Sequence, residues 1–371
     1  MEQIFIILFY IFLGVTFINV TFYVFYWIFA FAKISNTSPS SLLPVSIIIC
    51  AKNEAQNLER NIPKILSQDY PEFEVVLIND ASSDETEEVM EGFKLANNNV
   101  QQVNVVSNEN FWGNKKYALT LGIKRAQYKH MIFTDADCIP ASTKWLSHMA
   151  SSFNEEKEIV LGYGAYEKIK GSWINKIIRF ETLFTALQYF SWAKAGRPYM
   201  GVGRNLAYTA AIFYEQKGFI NHIKVQSGDD DLFVNEASTR KNTAIQCSPE
   251  SFTISTPKKT FASWITQKRR HVSTATHYKS LEKILLTLFY SSQFLFLAGA
   301  IMLLVTQYNW QWVVLAIAIR YLAAWVTVGY SAERLQEKDL TYFYPIYEVF
   351  LVCAQMFIFI SNLITKPTRW K

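Results

Sequence analysis

Asp135 and Asp137, one residue apart in the run Thr134-Asp-Ala-Asp-Cys138, directly follow a short apolar segment. Carboxylate oxygens are hard ligands that suit Mg2+ or Mn2+, and a cation held by two of them keeps positions for phosphate oxygens and water. Asp-x-Asp pairs also occur in ordinary surface turns. This one gains weight from its place after an apolar segment and from Asp80, which ends another. Asp80 would accept a hydrogen bond from the ribose or base of a nucleotide, or cap the helix that follows it, and the two roles are compatible. Lys115, in the turn Gly113-Asn-Lys115, either reaches a phosphate or is a solvated turn cation.

Further along, Gly228-Asp229-Asp230-Asp231 concentrates negative charge ahead of a helix start at Leu232. Carboxylates at a helix N-terminus are favoured by about 0.3–1 kcal/mol each, and three in succession exceed what capping requires. Like charges raise one another's pKa, and a carboxylate tuned in this way accepts the proton of an attacking hydroxyl. Asp229 and Asp230 both fit that role. Gln267-Lys-Arg-Arg270-His271 then supplies cations and an amide just before the last apolar stretches. Either Gln267 and Arg270 stabilise a leaving pyrophosphate, or the cluster rests on lipid headgroups; Lys258, Lys259, Lys268 and Arg269 suit the headgroup role in both cases.

The elements that must position these residues are legible as alternating patterns. Val45 to Cys50 is a β-branched run, followed by Ala51-Lys-Asn-Glu54 and a helical pattern through Leu58, Ile62 and Ile65. Phe73 to Ile78 is a second strand, ending at Asn79-Asp80-Ala-Ser-Ser-Asp84, where Ser and Asp can cap a helix from Glu85. A strand over Val103 to Val106 precedes the turn at Gly113 and a helix from Tyr117 to Arg125; a strand over His130 to Phe133 then runs into Asp135. Strand and helix in alternation predict an α/β fold with a mainly parallel sheet, helices on both faces and ligands at the carboxyl ends of the strands. Trp173 to Trp192 shows helical spacing through Ile177, Phe180, Phe184 and Leu187. It reads either as a helix packed on the sheet or as one lying in a bilayer interface along the path of a lipid acceptor.

The ends of the chain are of a different character. Half of the 371 residues are hydrophobic, more than a soluble protein of this length needs. Ile4 to Phe31 carries no Lys or Arg and is long enough to span a bilayer, and it lacks the features of a cleaved signal. Ile284 to Val305, Trp312 to Tyr330 and Tyr342 to Ile364 are further candidates. The segment between Lys33 and Lys283 carries most of the Lys and Arg, which places it on the cytosolic side. The basic residues Lys366, Arg369 and Lys371 favour the same side, so one C-terminal stretch is expected to be re-entrant or interfacial, the last, with Pro345 and Glu348, being the candidate. Arg320 inside a spanning stretch calls for a partner, and Glu348 is the nearest. The domains expected are an anchor over 1–33, a cytosolic domain over 34–282 and a C-terminal membrane domain over 283–371 with two to three helices.

A net charge of +5 fits lipid headgroups or phosphates as well as it fits nucleic acid and decides little; no nucleic-acid partner is expected. Cys50, Cys138, Cys247 and Cys353 are scattered without zinc-site spacing, consistent with a reduced, cytosolic setting.

Taken together, Val45-Ser-Ile-Ile-Ile-Cys-Ala-Lys-Asn-Glu54, Leu77-Ile-Asn-Asp80-Ala-Ser-Ser-Asp84, Thr134-Asp-Ala-Asp137, Gly228-Asp-Asp230 and Gln267-Lys-Arg-Arg270 resemble the membrane-bound family 2 glycosyltransferases. The resemblance covers roughly Val45 to His271 and keeps the motifs in order. It implies a GT-A (Rossmann-like) fold, a nucleotide-sugar donor, a UDP-sugar first among them, with Mg2+ or Mn2+, and inversion at the anomeric centre in a single displacement. By that likeness Asn53, Glu54 and Asp80 face the nucleotide. Asp135 sits by the sugar and diphosphate, and Asp137 binds metal with Asp135 next to it. Asp230, or Asp229 one residue earlier, is the general base, and Gln267 with Arg270 flanks the diphosphate. Gly201-Val-Gly-Arg204-Asn205 resembles an acceptor-side loop, and His271 stands where polysaccharide synthases of the family carry a Trp. The function expected is transfer of a sugar to a membrane lipid or lipid-linked acceptor at the cytoplasmic face by a multi-pass protein of the cell membrane. A processive polysaccharide synthase is the alternative.

Overall fold

The computed structural model describes residues 2–33, 43–106, 115–225 and 227–365. Gly113, Asn114 and the basic residues Lys366, Arg369 and Lys371 lie outside them. In chain order the elements are α1 Glu2–Ala30, β1 Val45–Ala51, α2 Ala55–Leu66, β2 Phe73–Asp80, α3 Thr86–Ala96, β3 Val100–Val105, α4 Lys115–Arg125, β4 His130–Asp135, β5 Cys138–Pro140 and α5 Trp145–Ala150. They continue with β6 Ile159–Leu161, β7 Gly164–Tyr166, α6 Trp173–Lys194, β8 Leu206–Thr209, α7 Ala210–Glu215, α8 Asp231–Ala237, β9 Thr243–Ile245, β10 Thr253–Ser255, α9 Phe261–Thr274, α10 Ser280–Val305, α11 Trp310–Arg334 and α12 Tyr344–Ile364. Two compact units result. The described residues of Met1–Lys33, Ser172–Ser191 and Phe261–Lys366 form one, and those of Ile34–Gly171 and Trp192–Thr260 belong to the other.

The α/β unit is built on a seven-stranded sheet in the order β3-β2-β1-β4-β8-β6-β9. β1 is flanked by β2 and β4, both parallel to it, with Cys50 opposite Asp135 in register. Its sequence, VSIIICA, is apolar on both faces because helices cover both, as a central parallel strand requires. Ile47, Ile49, Val75, Leu77 and Ile132 pack with Leu58, Ile62 and Met90 in one core. The parallel order expected from the alternating pattern holds from β3 to β4. Beyond it β8 runs antiparallel to both β4 and β6, so the sheet is mixed. A three-stranded sheet, β5-β10-β7, lies beyond Asp137.

Among the described residues the other unit contains four helices long and apolar enough to cross a membrane: α1, α10, α11 and α12, of 29, 26, 25 and 21 residues. Their contact surface is aromatic and aliphatic, with Phe12, Phe296, Leu303 and Val313 buried together. Arg320 is fully buried there and paired with Glu348 as expected, Nη1 to Oε2 at 2.5 Å and Nη2 to Oε1 at 2.6 Å. Asn19 and Tyr23 of α1 and Gln293 of α10 also engage its guanidinium, and the Tyr23 and Tyr344 hydroxyls donate to Glu348 at 2.6 and 2.5 Å. Groups from all four helices therefore satisfy one ion pair, the condition under which a charge is tolerated in such a place. Pro345 falls in the first turn of α12, where its missing N–H breaks no helical bond. The two residues that set this stretch apart in the sequence are thus accommodated in an unbroken helix.

α6 corrects the reading of a helix laid on the sheet. Its residues to Ser191 belong with the apolar helices, where Phe184 stacks on Phe289 at 5.8 Å, Phe190 on Phe29 at 5.0 Å and Phe180 meets Tyr344 at 5.9 Å. Its Arg179 is buried and pairs with Glu337 and Asp339, between α11 and α12. Aromatic spacing is the same for either partner surface, so the sequence pattern does not distinguish them.

Candidate functional site

Asp80, Cys50 and Asp135 stand at or beside the carboxyl ends of β2, β1 and β4, which parallel pairing brings side by side. The loops leaving these strands are held by their own polar side chains. Asn53 adopts a left-handed backbone (φ 56°), which Asn tolerates better than most residues. Its N–H donates to Ser82 Oγ at 3.0 Å and its Oδ1 accepts from Ser83 N at 2.8 Å. The Glu54 N–H donates to Thr86 Oγ1 at 2.9 Å. The helix expected from Glu85 begins at Thr86 with Glu85 as its N-cap, and the Asp84 carboxylate accepts from Thr86 N at 3.1 Å. Asp80 is 5% exposed and its Oδ2 is buried with no hydrogen-bond partner among the described residues. Burial raises its pKa, opposed by Lys52 and Lys115.

Lys115, at the start of α4, joins the two acidic motifs. Its Nζ lies 2.9 Å from Asp135 Oδ1 and 3.1 Å from Asp229 Oδ2. Burial disfavours its charge, but the two carboxylates more than offset this and hold the ammonium well above the usual lysine range. Asp229 shows the converse: burial pushes it up, and Lys115 brings it below the ordinary value.

Asp230 is placed differently. It is the N-cap of α8, with Oδ1 accepting from Asp231 N at 2.8 Å and Oδ2 from Gly203 N at 2.7 Å. Gly228, at φ +92°, turns the chain into this cap in a conformation that L side chains rarely adopt. Burial, with Asp229 and Asp231 beside it, raises the pKa of Asp230 to about 7. Adjacent carboxylates thus differ in kind: Asp229 is a fixed anion paired with a lysine, and Asp230 exchanges a proton near neutrality. Asp135, Asp229, Asp230 and Lys115 line one small pocket with Ile48, Cys50, Leu119, Phe133, Thr134, Gly203, Leu206 and Tyr208.

Asp135, Asp137 and Cys138 each present a ligand atom within 4.8 Å of the others. Burial and then Asp137 and Asp135 raise the Cys138 pKa well above its ordinary value, and its sulfur lies 3.0 Å from Ser255 Oγ. The group is therefore a thiol, and the effective donors are two half-buried carboxylates. Burial and the neighbouring Asp135 raise the pKa of Asp137. A divalent cation would relieve that repulsion, and this oxygen donor set fits Mg2+ or Mn2+.

The acceptor-side expectation for Asn205 needs correction. Asn205 is fully buried, accepts from Trp145 Nε1 at 3.0 Å and donates to Tyr163 O at 3.0 Å and Ser251 O at 2.8 Å. A carboxamide engaged in this way holds the fold and has no face for a ligand. Arg204 stacks over Tyr166, with Cζ 4.2 Å from the ring centre, and donates to Ala165 O at 3.0 Å and Ser255 Oγ at 3.2 Å. Gln267, Arg270 and His271 lie on α9, in the unit of apolar helices. On the same helix Lys268 pairs with Glu181, and Arg269 donates to Asn362 Oδ1 at 2.9 Å and Ser361 O at 3.1 Å. Two of the four cations expected on headgroups are therefore used within the protein. Sequence reasoning missed the Gly203 N–H and Tyr208, which carry no recognisable signal until β8 is placed beside β4.

Residues 46–211 match the family model described as Glycosyl transferase family 2. Over 95 residues the chain is 35% identical to a poly-beta-1,6-N-acetyl-D-glucosamine synthase of Staphylococcus epidermidis, a stretch that is 26% of this chain and 22% of that protein. Over 118 residues it is 30% identical to the glycosyltransferase AglE of Haloferax volcanii, covering 31% of this chain and 37% of the relative. The matched stretches are thus well under two thirds of those relatives' lengths. Among solved structures, the mannosyltransferase PcManGT of Pyrobaculum calidifontis, in complex with GDP-Man and Mn2+, superposes with a TM-score of 0.60 over 91% of this chain and 98% of its own, at 17% identity. At that identity the likeness is one of fold: a GT-A, Rossmann-like α/β core.

Proposed function

We propose that this chain, a family 2 glycosyltransferase by its domain over residues 46–211, moves a sugar from a nucleotide-sugar donor, a UDP-sugar first among them, to a lipid or lipid-linked acceptor at the cytoplasmic face of the cell membrane. The observation that carries the reading is the joining of Asp135 and Asp229 by Lys115, with the proton-exchanging Asp230 next in the chain. The four long apolar helices and the Lys and Arg of the intervening segment support a multi-pass protein with its catalytic domain in the cytosol.

Asn53, Glu54 and Asp80 take the nucleotide, the buried, unpartnered Oδ2 of Asp80 accepting one of its donors. Asp135 and Asp137 hold Mg2+ or Mn2+, which when bound neutralises the donor diphosphate. Lys115 lies beside that charge. Asp230 takes the proton of the acceptor hydroxyl as its oxygen bonds to the anomeric carbon; the bond from that carbon to the diphosphate breaks on the opposite side, and the nucleoside diphosphate leaves with the electron pair. The pairing of Asp229 with Lys115 supports Asp230 over Asp229 as the base. Gln267 and Arg270 stabilise the departing diphosphate, and Arg204 and His271 serve the acceptor side.

A second reading, a processive polysaccharide synthase, is favoured by the partial identity to the staphylococcal synthase. Incubating membranes that contain the protein with radiolabelled UDP-sugars and Mn2+ separates the readings. Label in a single-sugar lipid extract supports the first, label in polymer supports the second, and no incorporation from any donor overturns both.

A further inference from the structure

We propose that Lys116 is a positioning residue that fixes the loop carrying the catalytic base, gripping it through three main-chain carbonyls. The inference rests on the reading of Asp230 as that base. The Lys116 side chain is 1% exposed, and lysines are rarely buried so deeply without partners. Its Nζ donates to His222 O at 2.7 Å, Val225 O at 2.9 Å and Ser227 O at 2.8 Å. An ammonium has three N–H donors in a compact, rotatable head, and here all three converge on one loop. That loop ends at Gly228 and delivers Asp229 and Asp230 to the pocket.

The neighbouring lysine completes the device. Lys115 holds the side chain of Asp229 while Lys116 holds the main chain just before it, so the first turn of α4 clamps the acidic segment at two successive points. Lys116 acts on Asp230 by fixing the loop. The charged groups around it are Asp229, Asp230 and Asp231, and burial brings its own pKa down to about 8.

The test uses the whole 371-residue chain in lipid nanodiscs, comparing wild type with Lys116→Met and Lys116→Arg. Hydrogen exchange of amides across 222–231 is expected to speed up about tenfold or more in Lys116→Met, with exchange in β1, β2 and β4 unchanged. With UDP-N-acetylglucosamine and Mn2+ as the probe, or whichever UDP-sugar the wild type uses, kcat falls about tenfold while the donor KM stays within about twofold. Loss of the cation beside Asp229, Asp230 and Asp231 moves the midpoint of the pH–rate profile above its wild-type position, and Lys116→Arg, which keeps a charged donor, recovers part of the protection and of the midpoint. Should Lys116→Met fail to fold, Lys116→Gln is read on the same scales. Unchanged loop exchange and an unchanged pH midpoint in a folded variant overturn the proposal. A wild type that transfers no sugar overturns the reading of the site instead, and the exchange measurement still decides the role of Lys116.

Discussion

The backbone N–H of Gly203 donates to Oδ2 of Asp230 at 2.7 Å, joining the turn before β8 to the N-cap of α8. With Asp231 N on the other oxygen, the bond fixes the direction of a carboxyl whose pKa stands at about 7. As the base, Asp230 must be ionised, so kcat/KM rises with pH up to about 7 and is level above it. Asp230→Asn keeps donor binding and loses transfer. A rate independent of pH between about 5.5 and 8 would assign the base elsewhere. For folding, the sign is opposite to that of an ordinary salt-bridged Asp. The native carboxyl keeps its proton above the unfolded value of about 3.9, so stability from this site is lost as pH rises from there to about 7. Asp230→Asn is therefore expected to melt no lower than wild type at pH 8, as differential scanning calorimetry can determine.

Lys115 neutralises two half-buried or buried carboxylates at once. Lys115→Met strands both, a change that costs about 3–5 kcal/mol when a buried pair loses one member. The loss should be larger at pH 7 than near pH 4, because without Lys115 burial raises Asp229 and lets it take a proton in acid. Chemical denaturation at the two pH values measures the difference, and equal losses would show that the ion pairs contribute little.

Asp137→Ala is expected to abolish metal-dependent donor hydrolysis, because Asp135 alone leaves the cation one carboxylate. Titration of Mn2+ followed by isothermal calorimetry should show affinity reduced by about tenfold or more. Retained affinity would place the ion elsewhere.

Asn205→Ala separates a fold role from an acceptor role. Removing the carboxamide leaves Trp145 Nε1, Tyr163 O and Ser251 O without this partner, at about 1–3 kcal/mol for each buried group left unsatisfied. Thermal stability should fall and the acceptor KM should not change. A raised KM with unchanged melting would restore the acceptor assignment.

In the bundle of apolar helices, Arg320→Leu and Glu348→Leu should each lower thermal stability in detergent, since each leaves a buried charge unpaired. The double variant should recover much of the loss. Additive losses in the double-mutant cycle would mean that the two side chains act independently.

Local chemistry by itself determined much of this protein. The apolar runs that become β1, β2 and β4 and the four long helices were legible because hydrophobic periodicity is a property of consecutive residues. Asp80, Asp135 and Asp137 were legible for the same reason, since each closes or follows such a run and a strand end is a place that sequence can mark. The partner surface of α6 was not, because an aromatic stripe packs equally well on a sheet or on helices. Nor was the burial of Asn205, whose partners Trp145, Tyr163 and Ser251 are distant in the chain. Asp229 and Asp230 are alike as residues and became different only when α4 brought Lys115 to the first and β8 brought Gly203 to the second. Charge state and hydrogen bonding depend on what lies within a few ångströms, and those neighbours are chosen by tertiary packing.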